Sequence, residues 1–342
     1  MLVNLFYNNN YSSSNNIMFK QAPQLKEVLL RTSETNKVPL LQRSIYRQYL
    51  DSKNLPRLAF DKQELDKLFA IERPRDFAKA CFKGMVEKLN LPKKIAPKLV
   101  FEPVDADFIF GYERETNSII VNTNDDVPPK NEIFALIRHE FQHYLQHIDL
   151  LRSEEYGEEH INNLVKLNSD EYRENTVNMI KDDPKNWEVE YEEFKRLYQI
   201  KRDMENGSSE SLEKEIKEEE KVVRKGLKMF QKEVIKSFGI IKADSPQSVR
   251  LKKIYDAFCE YNEKTNAMHW GDYLTNYTEY EAIIAEVATE SELENKCMVN
   301  LLKERCEEFL NSEYEDDIKI KEELVEKLSK TPDVDFTIPK AG

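Results

Sequence analysis

Glycine is scarce in this chain, at 8 of 342 residues. No GxGxxG or Walker-type loop occurs, which argues against nucleotide use through the backbone amides of a glycine-rich turn. The same scarcity, with only 13 prolines, excludes collagen-like and low-complexity architectures. Cysteine is equally thin. Cys81, Cys259, Cys297 and Cys306 contain no CxxC pair. They form neither a disulfide framework, nor cysteine-rich zinc-site spacing, nor a defined nucleophile–base arrangement. Four reduced thiols in an intracellular chain are expected. No apolar run approaches the ~18–20 residues of a membrane helix. The opening stretch MLVNLFYNNNYSSSNN lacks a basic leader and a long apolar segment. The expectation is therefore a cytoplasmic protein, neither secreted nor membrane-anchored. Positive charge is also short: 51 Lys and Arg against 64 Asp and Glu leave −13. A nucleic-acid partner would need a local basic patch against that background, and none is expected.

What is present is a chain with 40% apolar and 34% charged residues, enough for a substantial core under a wet surface. Residues 7–16 are an Asn/Ser/Tyr-rich patch without element signals, and 21–90 read as helical. Leu65, Leu68 and Phe69 give Asp61–Phe69 a helical face, Pro74 interrupts it, and a second helix is expected over Arg75–Leu89. Beyond Pro92 and Pro97 the period shortens. Strands are expected at 98–101, 108–110 and 118–121, the last two joined as a hairpin through Glu113–Asn117. A long helix then begins after Pro128-Pro129, with Ile133, Ile137, Phe141, Tyr144 and Ile148 on its apolar face.

From 154 onward the chain reads as charged helix, interrupted at Asp183-Pro184 and at Asn206–Ser209. Apolar positions 212, 216, 223, 227, 230 and 234 predict one long amphipathic helix over Leu212–Phe238, packed on its own domain rather than paired as a coiled coil. Further helices are expected near 246–262, 278–310 and 318–329, with no regular element after Thr331. The fold class is α+β: a small sheet and one long site-bearing helix within a predominantly helical chain. The expected regions are 1–95, mainly helical; 96–205, the core; and 206–342, charged helices that complete or flank it.

The chemistry is concentrated in Arg138-His139-Glu140-Phe141-Gln142-His143. Side chains at i and i+4 on a helix lie one turn apart on the same side, so His139 and His143 can offer two imidazole nitrogens to one metal ion. At about 100° per residue, Glu140 is offset by about 100° from His139 but by only about 60° from His143. Its carboxylate can reach a water on the metal without binding the metal itself. With five His in the chain, chance would place such an HExxH in about one sequence in a hundred.

On these residues the chain resembles the zincin metallopeptidases, and among them the gluzincins. The resemblance covers roughly 98–200 and implies a short twisted sheet whose edge strand holds an extended peptide, here the strand near 106–112. It implies a zinc ion bound by His139 and His143, Glu140 as general base, and a glutamate from a second helix as third ligand. Glu188 is preferred for that place over Glu190, because Glu192 then stands one turn further on, where gluzincins often carry an acid that orients a zinc-bound His. A rival helix contains Glu279 and Glu281 beside the small Ala282 and Ala285, and choosing it turns 190–275 into a helical insertion within the metal domain.

His147 follows His143 by a further turn, but a common site for three successive i+4 histidines is geometrically poor, so it reads as a surface or supporting residue. His160 and His269 receive no role. The expected function is a zinc-dependent peptidase acting on a protein or peptide substrate, neutral or basic given the acidic balance. The alternative is a non-catalytic structural or interaction protein with a metal-binding domain of this type, recruiting a protein partner through its charged helices.

Overall fold

The computed structural model describes residues 60–104, 109–124, 128–181, 184–187, 189–264, 270–294, 296–314 and 317–330. The expected helical start at 21–59 and the tail after 331 lie outside them. By packing, the chain divides into two units. One comprises the residues through His147 together with those from Asp256 on; the other is Ile148–Tyr255.

The first unit opens with α1 (Lys62–Phe69) and α2 (Pro74–Lys88). Asp61 and Glu64 close a reciprocal cap on α1, each side chain accepting from the other's backbone N–H. Pro74 supplies the first turn of α2, where its missing N–H costs nothing, and Phe77, Ala78, Cys81 and Met85 form its buried face. Three strands follow: β1 (Lys98–Glu102), β2 (Phe110–Glu113) and β3 (Ser118–Asn122). Their order is β1-β3-β2, with β1 parallel and β2 antiparallel to β3. The hairpin is thus as expected in its connection and second strand, while its first strand lies at Phe110–Glu113 rather than 108–110, and Asn117 carries the left-handed turn position at φ 52°. Its side chain accepts from the Tyr112 hydroxyl at 2.9 Å and donates to the Ile95 carbonyl at 3.0 Å, which ties the turn to the body.

Helix α3 (Lys130–Leu151) starts directly after Pro128-Pro129. Its apolar face, Ile133, Phe134, Ile137, Phe141 and Tyr144, is fully or almost fully buried. The Tyr144 ring meets Tyr112 of β2 edge-on at 5.9 Å and Phe141 meets Phe82 of α2 at 5.4 Å, so sheet and helices share one core.

In the second unit, α4 (Gly157–Lys181), α5 (Tyr191–Glu205) and α6 (Glu210–Phe238) pack through Ile180, Leu197, Ile200, Leu212 and Ile216. The long helix α6 therefore packs on its own domain, as the spacing predicts, with Leu227 and Val234 continuing its buried stripe.

Helix α7 (Ser248–Lys264) returns to the first unit, followed by α8 (Trp270–Thr275), α9 (Tyr277–Glu294), α10 (Met298–Leu310) and α11 (Ile318–Ser329). Leu274, Ile284, Val287, Met298, Leu302, Phe309 and Leu324 join these into a second core. A Cβ on Gly271 would meet Ile320 at 2.5 Å and Phe309 at 2.9 Å, so glycine is what lets α8 seat against α10 and α11. The single helix expected over 278–310 is two. Ser291 bonds its hydroxyl to the Lys296 carbonyl at 2.6 Å and Cys297 adopts extended backbone at the head of α10. Neither proline nor glycine marks this break, so it left no trace in the pattern.

The structure is α+β and predominantly helical, with one small sheet and the HExxH motif on α3. No described helix is long and apolar enough to cross a membrane. No disulfide links the four cysteines.

Candidate metal centre

His139 and His143 sit on the face of α3 away from its apolar stripe and Glu140 between that face and the stripe, yet all three are buried. Their cover is α9. That helix begins where the Asn276 side chain accepts from the Thr278 and Glu279 backbone N–H groups, at 3.0 and 3.4 Å, and its amide anchors to the Ala257 carbonyl at 3.0 Å. Glu279 thus falls in the first turn, where the helix dipole favours a carboxylate. From Thr278 to Ser291 the helix is buried on every face, which the small Ala282 and Ala285 allow.

The two imidazole Nε2 atoms lie 3.1 Å apart, and the Glu279 Oε2 stands 3.2 Å from His143 Nε2 and 3.6 Å from His139 Nε2. These three donor atoms form the one group among the described residues that could hold a metal ion. Donors held at ~2.0–2.1 Å from zinc in tetrahedral geometry stand about 3.3 Å apart, so the spacing fits that ion with a fourth position left open. Two buried imidazole lone pairs and a carboxylate oxygen facing one another need a cation, either a proton or a metal ion, between them.

Both rings are set from behind. His139 Nδ1 is 3.1 Å from Glu286 Oε2, and a carboxylate there requires Nδ1 to carry the proton and leaves Nε2 as the lone pair. His143 Nδ1 is 3.1 Å from the Gln146 amide oxygen. The Gln146 amide nitrogen in turn donates to the Thr278 carbonyl at 3.0 Å and to Glu281 at 3.2 Å, which fixes that amide and with it the ring. Burial works to depress the His139 imidazole, but Glu279 and Glu286 outweigh it and push it up to about 10 in the metal-free site. Burial works to raise Glu279, but the adjacent His143 and His139 hold its carboxyl well below the usual range.

Glu140 sits beside these donors. Asn122 donates to the Ile109 carbonyl at 2.9 Å, and the hairpin register pairs Gly111 with Ile120. The peptide groups of Phe110 and Tyr112 therefore point away from β3, to the free edge of the described sheet. The Glu140 carboxylate accepts from the Tyr112 backbone N–H on that edge. Burial raises its pKa from the ordinary value, against the pull of both imidazoles. The Tyr273 hydroxyl borders the site as well, 3.4 Å from His139 Nε2.

Three expectations change here. Glu188, the preferred third ligand, lies outside the described residues, and the third place passes to Glu279. Of the neighbours of Glu188, Glu190 is exposed at the head of α5, and Glu192 pairs with Lys195 at 3.0 Å on an exposed face. The two candidates on α9 separate cleanly: Glu281 accepts from Gln142 at 3.4 Å and from Gln146 at 3.2 Å, leaving Glu279 for the imidazoles. Second, the position one turn past the ligand is Ile283, and the supporting acid is Glu286, two turns on. Third, of the two readings of His147, surface or supporting residue, burial removes the first: its ring lies 6.0 Å from that of Tyr112, and it stands outside the donor group, as the spacing predicts. His160 is buried on α4 in the other unit, and His269 lies outside the described residues.

No protein-family model, curated protein or solved structure matches this chain. The site carries the likeness by itself: His139-Glu140-x-x-His143 with the distal Glu279 is a gluzincin-type metal-binding arrangement.

Proposed function

We propose that the chain is a zinc-dependent peptidase. The observation that carries this reading is the convergence of His139 Nε2, His143 Nε2 and Glu279 Oε2 within 4.8 Å, with the Glu140 carboxylate beside them, bonded to the Tyr112 N–H on the outer edge of the described sheet. Bound at this site, zinc supplies a Lewis acid for the scissile carbonyl and lowers the pKa of a water toward ~7. The rest falls to the chain. Glu140, raised above an ordinary carboxylate, is suited to accept the water proton and hand it to the leaving amine. The outward backbone groups of Phe110 and the outward Tyr112 carbonyl on β2 align an extended substrate as an added strand, which selects a peptide over a compact small molecule. The Tyr273 hydroxyl, 3.4 Å from His139 Nε2, would supply a hydrogen-bond donor to negative charge developing at the ion.

The test pairs zinc analysis with peptide turnover for the wild type and E140Q. Stoichiometric zinc in both, with kcat down about 10²–10⁴-fold in E140Q, supports the reading. Stoichiometric zinc with no turnover of any peptide by the wild type favours a metal-binding scaffold, and absence of zinc removes both.

A further inference from the structure

Behind the donor group, on the side away from β2, lies a contact that the peptidase mechanism does not use. Glu286 divides its two oxygens. Oε2 meets His139 Nδ1 at 3.1 Å, and Oε1 accepts from Arg305 Nη2 at 2.6 Å. The same Arg305 nitrogen donates to Glu290 Oε1, one turn further along α9, at 2.8 Å. Arg305 comes from α10, a helix that contributes no ligand. Its backbone is fixed because Leu302, Cys306 and Phe309 on either side are buried in the second core. A carboxylate with one partner turns easily about its terminal torsion, which is broad and nearly two-fold. A carboxylate gripped at its other oxygen by a rigidly based guanidinium does not.

We propose that Arg305 is a positioning residue of the metal centre, holding Glu286 in the orientation that keeps the His139 Nε2 lone pair on the ion. The proposal rests on the metal-site reading above and adds α10 to it. The site then depends on a chain of three groups, His139, Glu286 and Arg305, drawn from three helices, of which α9 and α10 are consecutive and α3 lies far back in the sequence. Salt-bridging to Glu290 alone would give Arg305 a role in stability and none in metal binding, and that is the contrast to test.

The experiment is a zinc competition titration against a chromophoric chelator at fixed pH and zinc buffering, on the full chain, with folding followed by circular dichroism. H139A is the control for the site itself. E286Q is expected to bind zinc about 10–100-fold more weakly than wild type and R305Q about tenfold more weakly. The double variant R305Q/E286Q binds no more weakly than E286Q alone, because the arginine acts only through the carboxylate. R305K, which restores a cation between the two acids, recovers most of the loss. Should R305Q not fold, R305Q/E290Q removes a buried acid together with its partner and gives the same reading. Wild-type affinity in R305Q or R305Q/E290Q, or losses in R305Q and E286Q that add in full, overturns the proposal while leaving the metal centre intact. A wild-type protein that takes up no more zinc than H139A overturns the metal centre and this proposal together.

Discussion

Glutamate lines helices in both units, and it does opposite work in each. On α5 and α6 the carboxylates lie at the surface: Glu192 with Lys195, Glu193 with Arg196, Glu213 with Arg173 on α4, Glu218 with Lys221. Pairs of this kind are screened by solvent and contribute little. On α9 four carboxylates are buried: Glu279 toward two imidazoles, Glu281 toward two glutamine amides, Glu286 between His139 and Arg305, and Glu290 on Arg305. A buried charge without such a partner is costly enough that each of these contacts is specific. Glutamate content therefore says nothing about where chemistry lies. What separates the two regions is Ala282 and Ala285, whose small size lets α9 sink into the core with its acids.

That contrast can be broken by substitution. The largest effect is expected from H143A, which loses zinc and peptide turnover together, since one of three donors is gone and its buried neighbours are left unmatched; metal analysis of the purified protein decides it. E279Q follows, with much weakened zinc binding, whereas E188Q and E190Q keep wild-type affinity in the same titration. An equal loss in E188Q would return the third place to the segment the sequence favoured. E140Q comes next, with kcat lower by about 10²–10⁴-fold while zinc is retained.

A smaller, graded effect concerns pH. In the metal-free protein His139 is pushed up to about 10, so zinc must displace its proton throughout the neutral range. Raising the pH removes that competitor, and apparent zinc affinity should increase about tenfold per pH unit, levelling above about 10. The stability that the imidazolium contributes to the metal-free fold runs the other way: it is complete below the unfolded value of 6.5 and is lost as pH rises through about 10. A flat affinity profile between pH 7 and 9 would mean that the ion does not compete with this proton. At the small end, E193Q and E218Q should leave zinc binding and turnover unchanged.

The parts that repeat locally were legible. The hairpin, the start of α3 after two prolines, the long stripe of α6 and the facing imidazoles of His139 and His143 each depend on residues within one or two turns or one β-turn of each other. The carboxylate that faces them does not. Glu279 stands 136 positions beyond His143 (279 − 143), across the whole of the unit Ile148–Tyr255. Chain proximity and the acid expected one turn further on both favoured Glu188. The support for His139 comes two turns past the ligand, from Glu286, and Arg305 is reached only through α10. Nothing local to α3 encodes either. The small residues beside Glu279 were the signal that pointed the right way, because they report how closely a helix can approach.

Two imidazoles and a carboxylate sharing one ion are the core of the proposed centre. X-ray absorption at the zinc edge of the loaded protein tests this directly. The expected spectrum is a shell of nitrogen and oxygen only, with the outer scattering of two imidazole rings. A sulfur neighbour, or the signature of a third imidazole, would contradict it.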